Sequence, residues 1–312
     1  RVSHGVLKGS DGQFYTRMLN PRTGSLDTIS ATQASKSIIA FPHEMERKGD
    51  KVRAMVRNRQ VEYVDKKDVD FVLPSTGQLF SATSNLVPFI SGIKGGRLLM
   101  GAKYAIQALP LKHAEAPLVQ NLADNDQSFD DIYGMRMGAL RAKGPGVVVG
   151  MDKHSVEVKY GDGKTEKHEL YNNFPFNRKT FIHNTPLVKI GDRVTDGQLL
   201  AKSNYTDNGG TLALGTNLRT AYMVYKGLNY EDGIVISESA AKRLASEHMY
   251  QHNLDAEEGT VVGRKEYISI YPAKFTRDQL SSIDNRGVVK PGAVVRYGDP
   301  LVLSLSKNKP TS

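Results

Sequence analysis

Neither cysteine nor tryptophan occurs in these 312 residues. Without thiols, a disulfide framework, thiolate metal ligands and thiol catalysis are all excluded, which agrees with a cytosolic setting. Without tryptophan, and with ten phenylalanines, a stacking platform for single strands is weakly supported, because such platforms use spaced exposed aromatics. No apolar run approaches the roughly 20 residues of a membrane-spanning helix, so no membrane is expected among the partners. The histidines, His113 and His183 among them, lack ligand spacing and read as structural. No low-complexity segment and no Asp-x-Asp-x-Asp cluster is present. An initiator methionine is missing too: the chain opens Arg1-Val-Ser-His-Gly-Val6 and reads as a portion of a longer polypeptide.

What is present describes an ordinary globular protein, with 39% hydrophobic and 24% charged residues. The length predicts about two domains. A net charge of +9 favours a polyanionic partner. Basic residues crowd one segment: Arg47, Lys48, Lys51, Arg53, Arg57, Arg59, Lys66 and Lys67. They read either as a phosphate-tracking face or as a solvated basic surface.

Along the chain, residues 1–84 form a β-rich lead-in, with turns at Gly9–Gly12 and Asn20–Gly24. Arg97 to Gln107 places Leu98, Ala102, Ala105 and Ile106 near helical spacing. The Gly95-Gly96 lead-in sets Arg97 in the first turn, and Leu109-Pro110 ends the helix. Gly146–Gly150 and Ser155–Tyr160 make a hairpin candidate, followed by a turn at Gly161–Lys164. Val188–Ala201 and Val289–Val302 share one pattern, with Gly, Val and Gly three apart before an apolar strand. Such a pattern suits a small barrel-sandwich hybrid, where glycines permit tight turns between short strands. Lipoyl and biotinyl carriers have this shape too, but the lysine at a hairpin tip that they use is absent.

One stretch carries the sharpest chemistry. Glu231 and Asp232 stand between an apolar run, Ala221–Tyr225, and a β-branched one, Ile234–Ile236. Two strands joined by a short connection would present the acidic pair at a sheet end, a place suited to a divalent metal near a phosphate. An ordinary solvated turn is the alternative.

Around that pair, Gly215, Asn217, Arg219, Gly227, Asn229, Tyr230 and the Ile-Val-Ile-Ser-Glu tail resemble the signature around the "ED" dipeptide of the β subunit of multisubunit RNA polymerases. Three further blocks resemble the same family in order. Leu86-Val-Pro-Phe with Arg97–Pro110 is similar to "IPF…RALMGANMQRQAVP". Ala116–Val119 is similar to "PLVGTG", and Ile182–Asp192 to "INQRPLVKVGD". Ile29–Asp65 is a weaker match, and the chain after Tyr250 resembles the first half of a flap domain.

The resemblance implies a mixed, mainly β fold: part of a double-psi β-barrel over residues 85–250, with inserted barrel-sandwich hybrid strands, and a flap-like piece over 251–312. It implies that Arg97 contacts the triphosphate of the incoming nucleotide, where a guanidinium fork offers bidentate bonds to phosphate. Alone, Arg97 reads as an exposed helix-start arginine. Gln107 would face nucleic acid, or else be a surface amide. Glu231 and Asp232 would act on a second Mg²⁺, through water. The principal Mg²⁺ would be held by a β′-like partner, since this chain lacks the aspartate cluster. Other β pieces, an initiation factor, template DNA, nascent RNA and nucleoside triphosphates complete the implied partners. The rival reading is a non-catalytic basic nucleic-acid-binding barrel that keeps only the fold.

Departures from the family pattern occur as well. Ser91-Gly-Ile-Lys-Gly-Gly96 stands where the family has "EHDDAN", and Lys103 where it has Asn, exchanging a polar contact for a phosphate contact. Gly233 replaces another small residue, a mild change. Divergence outside the motifs favours a viral source, bacteriophage-like with a split β, and hence a host-cytoplasm or virion location.

Overall fold

A computed structural model describes residues 5–57, 60–123, 127–177 and 179–306. The chain divides into two compact units, Arg1–Met249 and Tyr250–Ser312. The architecture is mixed and mainly sheet, with short helices. Its sheets are open paths of strands, and none closes into a barrel among the described residues.

The first unit begins with β1 (Val6–Lys8), β2 (Phe14–Leu19), β3 (Leu26–Ser30), β4 (Ile39–Ala40), β5 (Lys51–Met55), β6 (Val61–Asp65) and β7 (Phe71–Val72). These form one sheet ordered β1-β2-β7-β4-β5-β6, with β3 on β2. Only β4 and β7 run parallel among these pairs. Successive residues on a strand face opposite sides, so Ile39 and Phe71 join one apolar cluster while Ala40 and Val72 join another. The sheet thus has a core on each face. Helix α1 (Ala31–Lys36) contributes Ala34 to the first, and α2 (Pro42–Met45) contributes Met45 to the second.

After α3 (Ala82–Asn85), α4 (Gly95–Ile106) and α5 (Phe129–Arg136), nine short strands follow. They are β8 (Leu140–Arg141), β9 (Gly146–Met151), β10 (Ser155–Tyr160), β11 (Thr165–Glu169), β12 (Phe174–Pro175), β13 (Phe181–Ile182), β14 (Asn184–Pro186), β15 (Arg193–Val194) and β16 (Leu199–Ser203). A sheet ordered β11-β10-β9-β15 and another ordered β14-β16-β8 share one core. Val148, Val156, Val158 and Val194 come from the first, Leu200 and Ala201 from the second. The hairpin read from Gly146–Tyr160 is there, extended by β11. The unit ends with α6 (Glu238–Arg243).

In the second unit β17 (Thr260–Val262) pairs with β18 (Ser304–Ser306). Helices α7 (Arg264–Ile270) and α8 (Arg277–Ser281) surround a core of Leu280, Ile283 and Leu303. Thr276 and Gln279 close a reciprocal capping box at the start of α8.

The repeated pattern is realised as a repeated turn. Gly191 and Gly197 have φ of +93° and +70°, and their counterparts Gly292 and Gly298 have +81° and +89°. In one copy the Gln198 side chain accepts from the Thr195 amide at 3.0 Å, and in the other Asp299 accepts from Arg296 at 2.8 Å. The second copy differs in having an isolated bridge, Val288 to Val302, where the first has β16.

Candidate functional site

Helix α4 packs through an inward row of Leu98, Ala102 and Ala105, spaced i, i+4 and i+7; Ala102 is buried. Ile106, expected on that row, is exposed. Arg97 lies in the first turn, exposed, and its side chain makes no hydrogen bond or ion pair among the described residues. Lys94 at the N-cap offers no side-chain acceptor to the helix. The first-turn amides therefore remain open, in the manner of an anion site. Lys103 is likewise exposed and unengaged. Gln107 follows the last helical residue and lines an apolar cavity of about 820 Å³ with Leu86, Met137, Phe176 and Leu214.

The acidic pair sits on an excursion from 218 to 242. Strands expected at Ala221–Tyr225 and Ile234–Ile236 do not form. A strand exists only with a hydrogen-bonding neighbour, and none of the described residues supplies one; Tyr222 is 99% exposed and Ile234 85%. The excursion instead folds on itself. Asn229 accepts from the Tyr225 amide at 2.8 Å and donates to the Met223 carbonyl at 2.6 Å. The Gly233 amide donates to the Tyr230 carbonyl at 3.2 Å. Between them Glu231 takes a left-handed φ of +55°, which costs on the order of 1 kcal/mol in a non-glycine residue. Gly233 is more than a mild change: a Cβ there would lie 2.8 Å from the Leu228 carbonyl oxygen. Both carboxylates of the pair are exposed, and neither is paired among the described residues.

Both roots of the excursion are held by the segment that follows α4. The Glu115 amide donates to the Gly215 carbonyl at 2.8 Å, and the Lys112 amide to Ala245 at 2.9 Å. One Glu115 oxygen, Oε2, accepts from the Asn217 amide at 3.0 Å and from its side chain at 3.2 Å. The other, Oε1, accepts from Arg243. The Asn217 amide, then the Arg243 guanidinium, hold the Glu115 carboxyl below the usual carboxylate range. Glu115 and Arg243 escape a sequence reading: they stand 128 residues apart, with no local pattern to link them. Asn217 was visible only as part of the signature. A polar cavity of about 1020 Å³ opens at this junction, with Glu115, Asn217, Lys112, His183 and Lys202 in its wall.

The basic cluster is partly internal. Glu44 is 1% exposed and receives Arg47 at 3.0 Å and Arg53 at 2.9 Å. Burial alone would raise its carboxyl; the Arg53 amide and guanidinium and then Arg47 outweigh this and hold it at about 2. Lys66 donates to the Arg47 carbonyl, and Lys67 lies 4.0 Å from Asp65. Arg59 lies outside the described residues. Arg47 and Arg53 thus serve the buried Glu44 as well as the surface, while Lys48, Lys51 and Arg57 are exposed.

No group of three or more His, Asp or Glu is close enough to hold a metal ion among the described residues. No helix among them is long and apolar enough to cross a membrane.

The family described as RNA polymerase Rpb2, domain 6, matches residues 148–312, more than half of the chain. The chain belongs to that family. It is 34% identical over 289 residues to the DNA-directed RNA polymerase subunit beta of Corynebacterium diphtheriae, covering 90% of this chain and 24% of the relative. Against the same subunit of Clavibacter sepedonicus it is 31% identical over 287 residues, 90% of this chain and 24% of the relative. Against that of Corynebacterium urealyticum it is 31% identical over 299 residues, 92% and 25%. The chain thus spans about a quarter of the length of the curated relatives it matches. The β-subunit resemblance seen at four blocks holds over nine-tenths of the sequence. These relatives are bacterial, and none carries the expected bacteriophage source. The Rpb2 domain 6 match takes in the acidic pair and the second unit; α4 and Glu115 precede it.

Proposed function

We propose that this chain works as part of RNA polymerase β, contributing contacts to the nucleoside triphosphate, to nascent RNA and template, and to a second Mg²⁺ during DNA-templated RNA synthesis. It acts within an assembly and not alone. One observation carries the reading: the segment 107–117 bears the C-terminal end of the Arg97 helix and grips both roots of the Glu231–Asp232 excursion. A guanidinium and an acid pair, each free of internal partners, therefore share one mount.

Arg97 binds phosphate oxygens through its fork and offsets the charge that builds as pyrophosphate departs. The open amides of the α4 first turn add to that field. Lys103, two turns further along the helix, supplies a phosphate contact to the nucleic acid, and Gln107 a polar one. Glu231 and Asp232 suit an ion that keeps its waters and is shared with substrate phosphate, since Mg²⁺ takes one or two carboxylates in such sites. That ion, when bound, neutralises triphosphate charge. The principal ion is held by a β′-like partner. The unpaired apolar runs at 221–225 and 234–236 become strands when neighbours from the assembly complete a double-psi β-barrel around them.

Arg97→Ala and Asp232→Ala, placed in the assembled polymerase, test this. Arg97→Ala is expected to slow nucleotide addition by about 10²–10³-fold. Asp232→Ala is expected to raise the Mg²⁺ requirement, and both leave template binding near its normal strength. Equal loss of DNA and RNA binding in both variants, with unchanged turnover per bound complex, would mean a basic binding module without catalytic contacts.

A further inference from the structure

We propose that Glu115 is a positioning residue for the Glu231–Asp232 pair: its two carboxylate oxygens tie the two roots of the excursion together and so set where the acids stand. This rests on the functional reading above for what the acids do there, while the tie itself stands on geometry.

Residues 218–236 form no hydrogen bond or ion pair with the rest of the chain among the described residues. Asn229 and Gly233 shape its turns, and Lys242 pairs with Glu238 at 2.8 Å. Within this chain the segment is anchored at its ends alone, and the ends set where it meets the neighbours that complete its strands. At the first end, Asn217 gives two bonds to Oε2 of Glu115 and a third to the Ala116 carbonyl at 2.9 Å. At the second, Arg243 gives one to Oε1. Each oxygen serves one root.

A carboxylate suits this task for a chemical reason. It offers two equivalent acceptors on one rigid plane and a charge for the guanidinium, whereas an amide offers one acceptor and none. The backbone bonds to Gly215 and Ala245 fix each root to this segment, at Glu115 and at Lys112. They do not cross from one root to the other. Glu115 does.

The experiment uses the assembled polymerase carrying Glu115→Gln, Glu115→Asp, Glu115→Ala or Asp232→Ala. Amide hydrogen exchange is read at 218–236, with β9–β11 as the internal reference, and nucleotide addition is read against Mg²⁺ concentration. Loss of a charge-assisted bond corresponds to about a tenfold change. Glu115→Gln is expected to speed exchange at 218–236 by about that factor and to raise the half-saturating Mg²⁺ about tenfold, leaving the rate at saturating Mg²⁺ near normal. Glu115→Asp keeps both acceptors and the charge and should sit between Gln and the unaltered protein. Should Glu115→Ala fail to assemble, Arg243→Gln removes one arm alone and gives the same two readouts. If Asp232→Ala raises the Mg²⁺ requirement while the Glu115 and Arg243 variants move neither readout, the positioning role is overturned and the functional reading stands. If the Glu115 variants loosen the excursion but Asp232→Ala leaves the Mg²⁺ requirement unmoved, the tie stands and the reading of the acids falls.

Discussion

Asp130, in the first turn of α5, is 3% exposed and leaves its Oδ2 without a hydrogen-bond partner. Burial, with Asp131 beside it, pushes its carboxyl up from 3.8 to about 6. The folded protein therefore holds the proton more tightly than the unfolded chain. Stability from this group is full below about pH 3.8 and is lost as pH rises through about 6. Above that, a buried charge stands uncompensated. Asp130→Asn is expected to raise stability at pH 7 by roughly 1–2 kcal/mol after allowance for solvent screening. The gain should vanish below about pH 4, as urea midpoints at the two pH values would record. A gain of equal size at both would place the effect in packing rather than charge. The helix was legible from sequence: α4 runs where the spacing of Leu98, Ala102 and Ala105 puts it, with Arg97 in its first turn, Lys103 in its last and Gln107 at its C-cap. The Glu115–Arg243 pairing was not, because long-range charge partners leave no periodic trace. Nor was the requirement for glycine at 233, which arises only once the chain turns back on Leu228.

At the scale of elements, the twin turns around Gly191–Gly197 and Gly292–Gly298 were legible, because a residue without Cβ takes a left-handed turn at no steric cost. All four glycines have open space around them, so a methyl group added there meets no neighbour and the cost is conformational. Gly197→Ala and Gly298→Ala are each expected to cost about 1–2 kcal/mol. Chemical denaturation of the two variants would measure it; a neutral result at both would show that left-handed backbone is not what the repeat preserves. Leu200, fully buried between the two small sheets, gives the contrasting case, where truncation to alanine costs about 2–5 kcal/mol through lost packing. The failed strands at 221–225 and 234–236 mark the limit of local pattern. Apolar and β-branched runs state a preference for extended chain, yet only a partner turns that preference into a ladder.

For the whole molecule, the chain forms two compact units and spans about a quarter of the length of the relatives it matches. Its mainly sheet character and its family were readable from motif order; the expected double-psi β-barrel is not formed, the sheets being open among the described residues. Convergence of Arg97 and the acid pair on one nucleoside triphosphate is the claim on which the rest depends. The absence of cysteine makes it directly testable. Arg97→Cys, Asp232→Cys and the distant control Lys159→Cys are placed one at a time in the assembled polymerase. Each is treated with a nucleoside triphosphate bearing a thiol-reactive group on its γ-phosphate, and the mass of this chain is read. Modification at 97 and at 232, both suppressed by excess unmodified triphosphate, with none at 159, is the predicted result; modification at only one of the two, or at neither, contradicts the account.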